Sequence, residues 1–234
     1  MPRDNHPPPE EIHPSLWRAS QLARSSSRCH STGWAALDGQ LPGGGWPISS
    51  LIELHTENQA VGAMRLLKPV LSSLGKKRVM LIQPPHVPNA LALAAMGLDP
   101  AQVIWVQPEK TADALWAAEA VLRSGGMGAV LLWQTHARNE SLRRLNLASQ
   151  DGSALFYLFR PLASAQDASP APLRLALRSA PGGVMVEFVK RKGPIREAGL
   201  LLPLSPSFVQ SNAPLDRPTS SPAPARSVRA AMVE

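Results

Sequence analysis

Between Leu51 and Phe159 short apolar runs alternate with stretches of helical periodicity, and this alternation constrains the fold more than any other feature of the chain. Leu51–His55, Arg78–Ile82, Val103–Val106, Ala129–Trp133 and Ala154–Phe159 read as strands. Segments with apolar residues at helical spacing separate them: Ala60–Leu74, Asn89–Met96, Thr111–Arg123 and Asn139–Ser149. Pro69 is expected to end or kink the first of these, because proline lacks the N–H the ladder needs. Thr111 is expected to cap the third, with Asp113 in its positive first turn. Strands that are apolar on both faces belong in a parallel sheet covered by helices. After residue 172 the pattern changes. Leu173–Arg178 and Val184–Val189 alternate as strands do and flank Pro181-Gly182-Gly183, which predicts an antiparallel hairpin. Leu200–Leu204 is a candidate last strand.

Prolines divide the chain. Of 24 in all, a cluster falls in residues 1–11 and another in 205–234, among residues too polar to offset their ordering entropy by burial. Both ends are expected to be disordered and 12–204 to form the ordered domain, with Ala163–Pro172 a soft loop inside it. The 44% hydrophobic content suffices for a core. No apolar run is long enough for a membrane span, the first residues carry no apolar signal-peptide core, and Cys29 is the lone cysteine. A reduced, cytoplasmic protein with no membrane contact is expected. The formal net charge of +7 allows an acidic partner such as nucleic acid but specifies no fold.

The most informative stretch runs from Thr32 to Met64: Thr-Gly, an apolar segment ending in Leu37-Asp38, the turn Gly43-Gly44-Gly45-Trp46-Pro47, a strand, a polar loop and a helix. This order resembles the RecA-like ATPase domain, in which such a strand leads into the phosphate loop. The resemblance extends over about 30–204. It implies an α/β fold with a mainly parallel sheet, helices on both faces and a C-terminal antiparallel extension.

The chemistry of a phosphate loop is missing. G-x-x-x-x-G-K-[ST] supplies backbone N–H groups, a lysine for the outer phosphates and a hydroxyl for Mg²⁺. Here His55 stands for the first glycine, Val61 for the second, Gly62 for the lysine and Ala63 for the hydroxyl. The strand that should end in a Walker B aspartate ends in Trp133-Gln134, and the catalytic glutamate expected after the second strand falls in Gln83-Pro84-Pro85. Neither ATP hydrolysis nor any cofactor is expected. His55 and His136 lack partners at metal-ligand spacing, and no G-x-S-x-G elbow marks a hydrolase.

The opening Ser15-Leu16-Trp17-Arg18, the Gly-Gly-Gly-Trp-Pro turn and the Val189–Pro194 segment resemble the ImuA family, an SOS-regulated accessory component of mutagenic translesion synthesis. That resemblance implies a non-enzymatic protein with three partners: RecA, a Y-family-like polymerase homologue of the ImuB type, and an error-prone C-family polymerase alpha subunit. SulA-type cell-division inhibitors, also short, RecA-like and without the phosphate loop, are the alternative; they imply binding to a tubulin-like division protein. Two surface elements remain open. Lys190, Arg191, Lys192 and Arg196 read either as a weak DNA or partner contact or as a solvated turn. Arg226, Arg229, Met232 and Val233 read either as a tail that folds on a partner or as plain disorder.

Overall fold

The computed structural model describes residues 28–58, 62–193 and 198–204. The elements are β1 (Cys29–His30), α1 (Ala35–Asp38), β2 (Trp46–Pro47), β3 (Leu51–Thr56), α2 (Ala63–Ser73), β4 (Arg78–Ile82), α3 (Ala90–Ala95), β5 (Val103–Val106), α4 (Thr111–Ser124), β6 (Met127–Trp133), α5 (Asn139–Gln150), β7 (Leu155–Pro161), β8 (Leu173–Ala180), β9 (Gly183–Lys190) and β10 (Leu200–Pro203). Single 3₁₀ turns precede β5 and follow β7.

β1 and β2 form a small separate ladder; the other eight strands make one sheet in the order β10-β9-β8-β3-β7-β6-β4-β5. From β8 to β5 every neighbour is parallel. The hairpin β8–β9 and the pair β9–β10 add an antiparallel edge. The fold is therefore α/β, with a mostly parallel mixed sheet. Strand β8 serves both parts: it is an arm of the hairpin, as its alternation predicts, and it also lies parallel against β3.

Alternate residues of each central strand feed two cores, as the period-2 geometry of a strand requires. Ile52, Leu54, Leu131 and Tyr157 face one layer, packed by Leu66, Leu67, Val70 and Leu71 of α2. Leu51, Val130, Phe156 and Leu158 face the other, packed by Ala114, Ala118 and Leu122 of α4 and by Leu142 and Leu145 of α5. Trp46, from the Gly-Gly-Gly-Trp-Pro turn, is fully buried and meets Tyr157 edge to face at 5.5 Å. It is a core residue and offers no surface for a partner.

Local rules and outcome differ at three places. Pro69 lies inside α2, which runs on to Ser73. Pro69 has no N–H for the turn before it, and the indole of Trp34 docks there, donating to the Leu66 carbonyl at 2.9 Å. Gly33 makes this approach possible: its φ is 79°, and a Cβ there would stand 2.2 Å from that of Pro69. Thr111 is the first helical residue of α4 and makes no side-chain cap. By contrast Asn89 caps α3, accepting from the N–H groups of Leu91 and Ala92. Finally, the segment expected to be a soft loop is pinned to the sheet by side chains described below.

Candidate functional site

Parallel α/β sheets bind ligands in crevices outside the carboxyl ends of their strands. Here that edge carries a crevice of about 900 Å³ bounded by the ends of β3, β4, β6 and β7. Thr56, Glu57 and Asn58 form one wall, Gln83 to His86 another, and Trp133, Gln134 and Phe159 the floor. Trp133 and Phe159 stack with centroids 4.5 Å apart and planes 6° from parallel.

The strand ends that would carry acidic groups in a nucleotide-hydrolysing site carry amides. Gln83 follows β4 with a left-handed φ of 50°. Its N–H donates to the Val106 carbonyl at 2.9 Å and its side-chain amide to the Pro108 carbonyl at 2.7 Å. Gln134 follows β6; its N–H reaches the Phe159 carbonyl at 3.0 Å, and its side-chain amide donates to Gln83 Oε1. The two glutamines thus tie β4, β6, β7 and the turn after β5 together. An amide neither ionises nor neutralises a cation, so this pair provides no general base and no anionic ligand for Mg²⁺.

The start of α2 is equally unlike a phosphate cradle. His55 is not a loop residue: it lies within β3, fully buried, because the strand continues to Thr56. Gly62 is the N-cap of α2 in the left-handed conformation and Ala63 its first residue, without a side-chain cap. Leu204, following β10, packs over this terminus; its Cδ1 lies 3.0 Å from where a Gly62 Cβ would stand. Val61 is outside the described residues. Glu57 does not face an open loop, since its carboxylate pairs with Arg178 at 2.7 Å.

Behind the crevice is a buried ionic cluster. Glu53 and His55 follow Leu51 at alternate positions, on the same face of β3. Glu53 is fully buried and accepts from Arg174 Nε at 2.8 Å, from Ser169 Oγ at 2.5 Å and from His55 Nε2 at 3.1 Å. Arg160, across the ladder from His55, places Nη1 4.0 Å from the same carboxylate and Nη2 2.9 Å from Asp167. Burial pushes the Glu53 carboxyl up, but its hydrogen bonds and the Arg174 charge outweigh this and hold it at about 2. Arg174 also donates to the Ser164 carbonyl at 3.1 Å and Lys190 to the Ser169 carbonyl at 3.1 Å. These bonds fasten residues 162–172 across β3, β7 and β8. The sequence signal for the cluster is a charged residue inside each apolar strand, Glu53 in LIELH and Arg174 in LRLALR.

The remaining candidates are dispersed. Asp38 of the Thr-Gly…Leu-Asp segment accepts from the Thr32 N–H at 2.8 Å and from Ser31 Oγ at 2.7 Å, a turn-holding role. Of the basic segment, Arg191 donates to the Gln40 carbonyl and stands over the Phe188 ring at 5.3 Å, while Lys192 is exposed. Arg196, the opening Leu16-Trp17 segment and the tail residues Arg226, Arg229, Met232 and Val233 are outside the described residues. Among the described residues no group of three His, Cys, Asp or Glu side chains could hold a metal, and no helix is long and apolar enough to cross a membrane.

No protein-family profile matches the chain. Two curated relatives do, both bearing the description "Cell division inhibitor SulA". The protein from Edwardsiella piscicida is 32% identical over 98 residues, 41% of this chain and 58% of that protein. The one from Yersinia enterocolitica serotype O:8 is 32% identical over 120 residues, 49% of this chain and 68% of its own length. The chain thus spans little more than half of the first relative and just over two thirds of the second, while half or more of its own residues lie outside either match. With that identity carried over two thirds of the Yersinia protein, the chain belongs to the family of the cell division inhibitor SulA.

Proposed function

We propose that the protein works without catalysis, as a contact-making regulator in the SOS response to DNA damage. The observation that carries this reading is the chemistry at the positions where a RecA-like domain would hold a nucleotide: amides at the ends of β4 and β6, and Gly62 and Ala63 at the start of α2. The mostly parallel sheet with its antiparallel C-terminal edge supports the RecA-like assignment. The charged side chains lining the crevice, Glu57 and Arg160, are held by Arg178 and Asp167, and no lysine or acid stands where a nucleotide site needs them, so the fold serves as a docking body.

The relationship to SulA favours cell-division inhibition, with a tubulin-like division protein as partner. Overproduction of the chain in growing cells is then expected to give filaments, and the purified protein to co-sediment with the division protein. Normal septation at high expression, with no co-sedimentation, rejects this reading.

A second reading rests on the resemblance of the Gly43–Pro47 turn and the Val189–Pro194 segment to the ImuA family. On that reading the partners are RecA, an ImuB-type polymerase homologue and an error-prone polymerase alpha subunit, and the role is accessory to translesion synthesis. Capture of RecA or the polymerase homologue by the immobilised full chain supports it; capture of neither removes it.

A further inference from the structure

The fold brings together basic segments that are far apart in the chain. Lys76, Lys77 and Arg78 lie at the turn into β4, at the amino-terminal edge of the parallel strands. β9 runs antiparallel to them, so Lys190, Arg191 and Lys192 at its far end reach the same edge. Two further cations join them. Arg28 precedes β1, and its carbonyl accepts from the Ile48 N–H just before β3. Arg123, in the last turn of α4, pairs with Glu119 at 3.2 Å and with Asp151 at 3.5 Å.

The edge is continuous. Lys77 packs against Gly128 at the start of β6, and Gly125 against Gly152 before β7. Gly125 and Gly152 line a cavity of about 930 Å³, whose other walls include Arg28, Arg191, Lys192 and the Ser49-Ser50 pair. Among the described residues four carboxylates accompany these eight cations: Asp38, Asp99, Asp151 and Glu119, the last paired with both Arg123 and Arg144. Asp38 is engaged by Ser31 and Thr32, and Asp151 by Arg123. Arg28, Lys76, Lys77, Arg78 and Lys192 are exposed and make no ion pair among the described residues.

We propose that this amino-terminal edge binds the phosphodiester backbone of a nucleic-acid strand, on the side of the sheet opposite the crevice at the strands' carboxyl ends. Exposed lysines and arginines strung along an edge, with few acids between them, are the electrostatic footprint of backbone binding. The central cavity has room for a nucleotide unit, and Arg28, Arg191 and Lys192 in its walls place positive charge where phosphate oxygens would lie. Contacts of this kind position a strand without reading its bases, so affinity is expected to be independent of sequence. The inference holds under either reading of the function.

The test uses the full chain and a fluorescein-labelled oligothymidylate, with binding followed by anisotropy over a salt series. The logarithm of the affinity is expected to fall linearly with the logarithm of salt, with a slope of about −0.7 for each phosphate neutralised. Lys76→Glu, Lys77→Glu and Lys192→Glu combined are expected to weaken binding by about tenfold or more at low salt. Arg138→Glu, at the opposite edge, keeps the wild-type affinity. Circular dichroism melts of each variant separate loss of binding from loss of fold. Salt-independent binding, no binding, or a triple variant that is folded and binds like wild type overturns the proposal. Equal affinity for polyglutamate of matched charge also overturns it, in favour of an acidic protein partner.

Discussion

Glu53 and Arg174 face each other across the parallel pair β3–β8, Oε2 to Nε at 2.8 Å, both side chains almost entirely out of solvent. Such a pair adds little to stability compared with an apolar pair of the same shape, but it is costly to break from one side, because the surviving charge remains buried. Glu53 holds two guanidiniums, so Glu53→Ala is expected to cost about 3–5 kcal/mol in urea unfolding. The paired change Glu53→Leu with Arg174→Met is expected to recover part of that. An equal or larger loss in the double variant would show that Arg160 alone demands the carboxylate.

The same carboxyl predicts the acid limb of stability. Its folded value of about 2 lies below the ordinary 4.5. The group's contribution is therefore fully present above about pH 4.5 and is lost as pH falls toward 2. With 1.36 kcal/mol per unit, the loss over that window is about 3 kcal/mol. Urea midpoints measured across the window should fall steeply in the wild type. Glu53→Gln should start lower and lack that component of the slope.

Two glycines with similar backbone angles separate conformational strain from collision. Gly33 and Gly44 have φ of 79° and 76°, but a Cβ meets Pro69 at the first and nothing within 4 Å at the second. Gly44→Ala is expected to cost about 1 kcal/mol for the left-handed backbone alone. Gly33→Ala carries the same strain and must also displace α2, so it is expected to cost about 2 kcal/mol more. Thermal melts of the two single variants give the comparison, and equal losses would mean that α2 yields freely.

The amide-lined crevice predicts a calorimetric result. Titration with millimolar ATP and Mg²⁺ is expected to give no binding heat, and Gln134→Asp alone is expected not to create any, because Gly62 and Ala63 leave the phosphates unheld. Saturable heat in the wild type would contradict the docking-body reading.

Strands and helices were legible because each repeats its own period over enough residues. LIELH, RVMLI and AVLLW announce buried strands, and α4 and α5 announce their apolar faces. Strand neighbours were less legible, since nothing in LRLALR says that it will also lie parallel to LIELH. The ionic cluster depends on that pairing: Glu53 and Arg174 are 121 positions apart, and each alone looks like an interruption in an apolar run. The two basic segments likewise read as separate turns, because only the antiparallel course of β9 carries Lys190–Lys192 to the edge where Lys76–Arg78 begin. The crevice amides were visible as absences of Asp and Glu, but the bond between Gln83 and Gln134 was not.

The place of β3 in the sheet bears on how the protein is made. It is the first strand of the large sheet to be synthesised, yet its two neighbours, β7 and β8, begin only at Leu155 and Leu173. On the ribosome the apolar Leu51–Thr56 segment must therefore wait, both edges unpaired, until about a hundred further residues have emerged. Long-range pairing of this kind is slow to form, and a nascent chain stopped short of β7 presents a naked, aggregation-prone strand. The middle of the finished sheet thus closes only after the strands β4 to β6 on one side of it have been made.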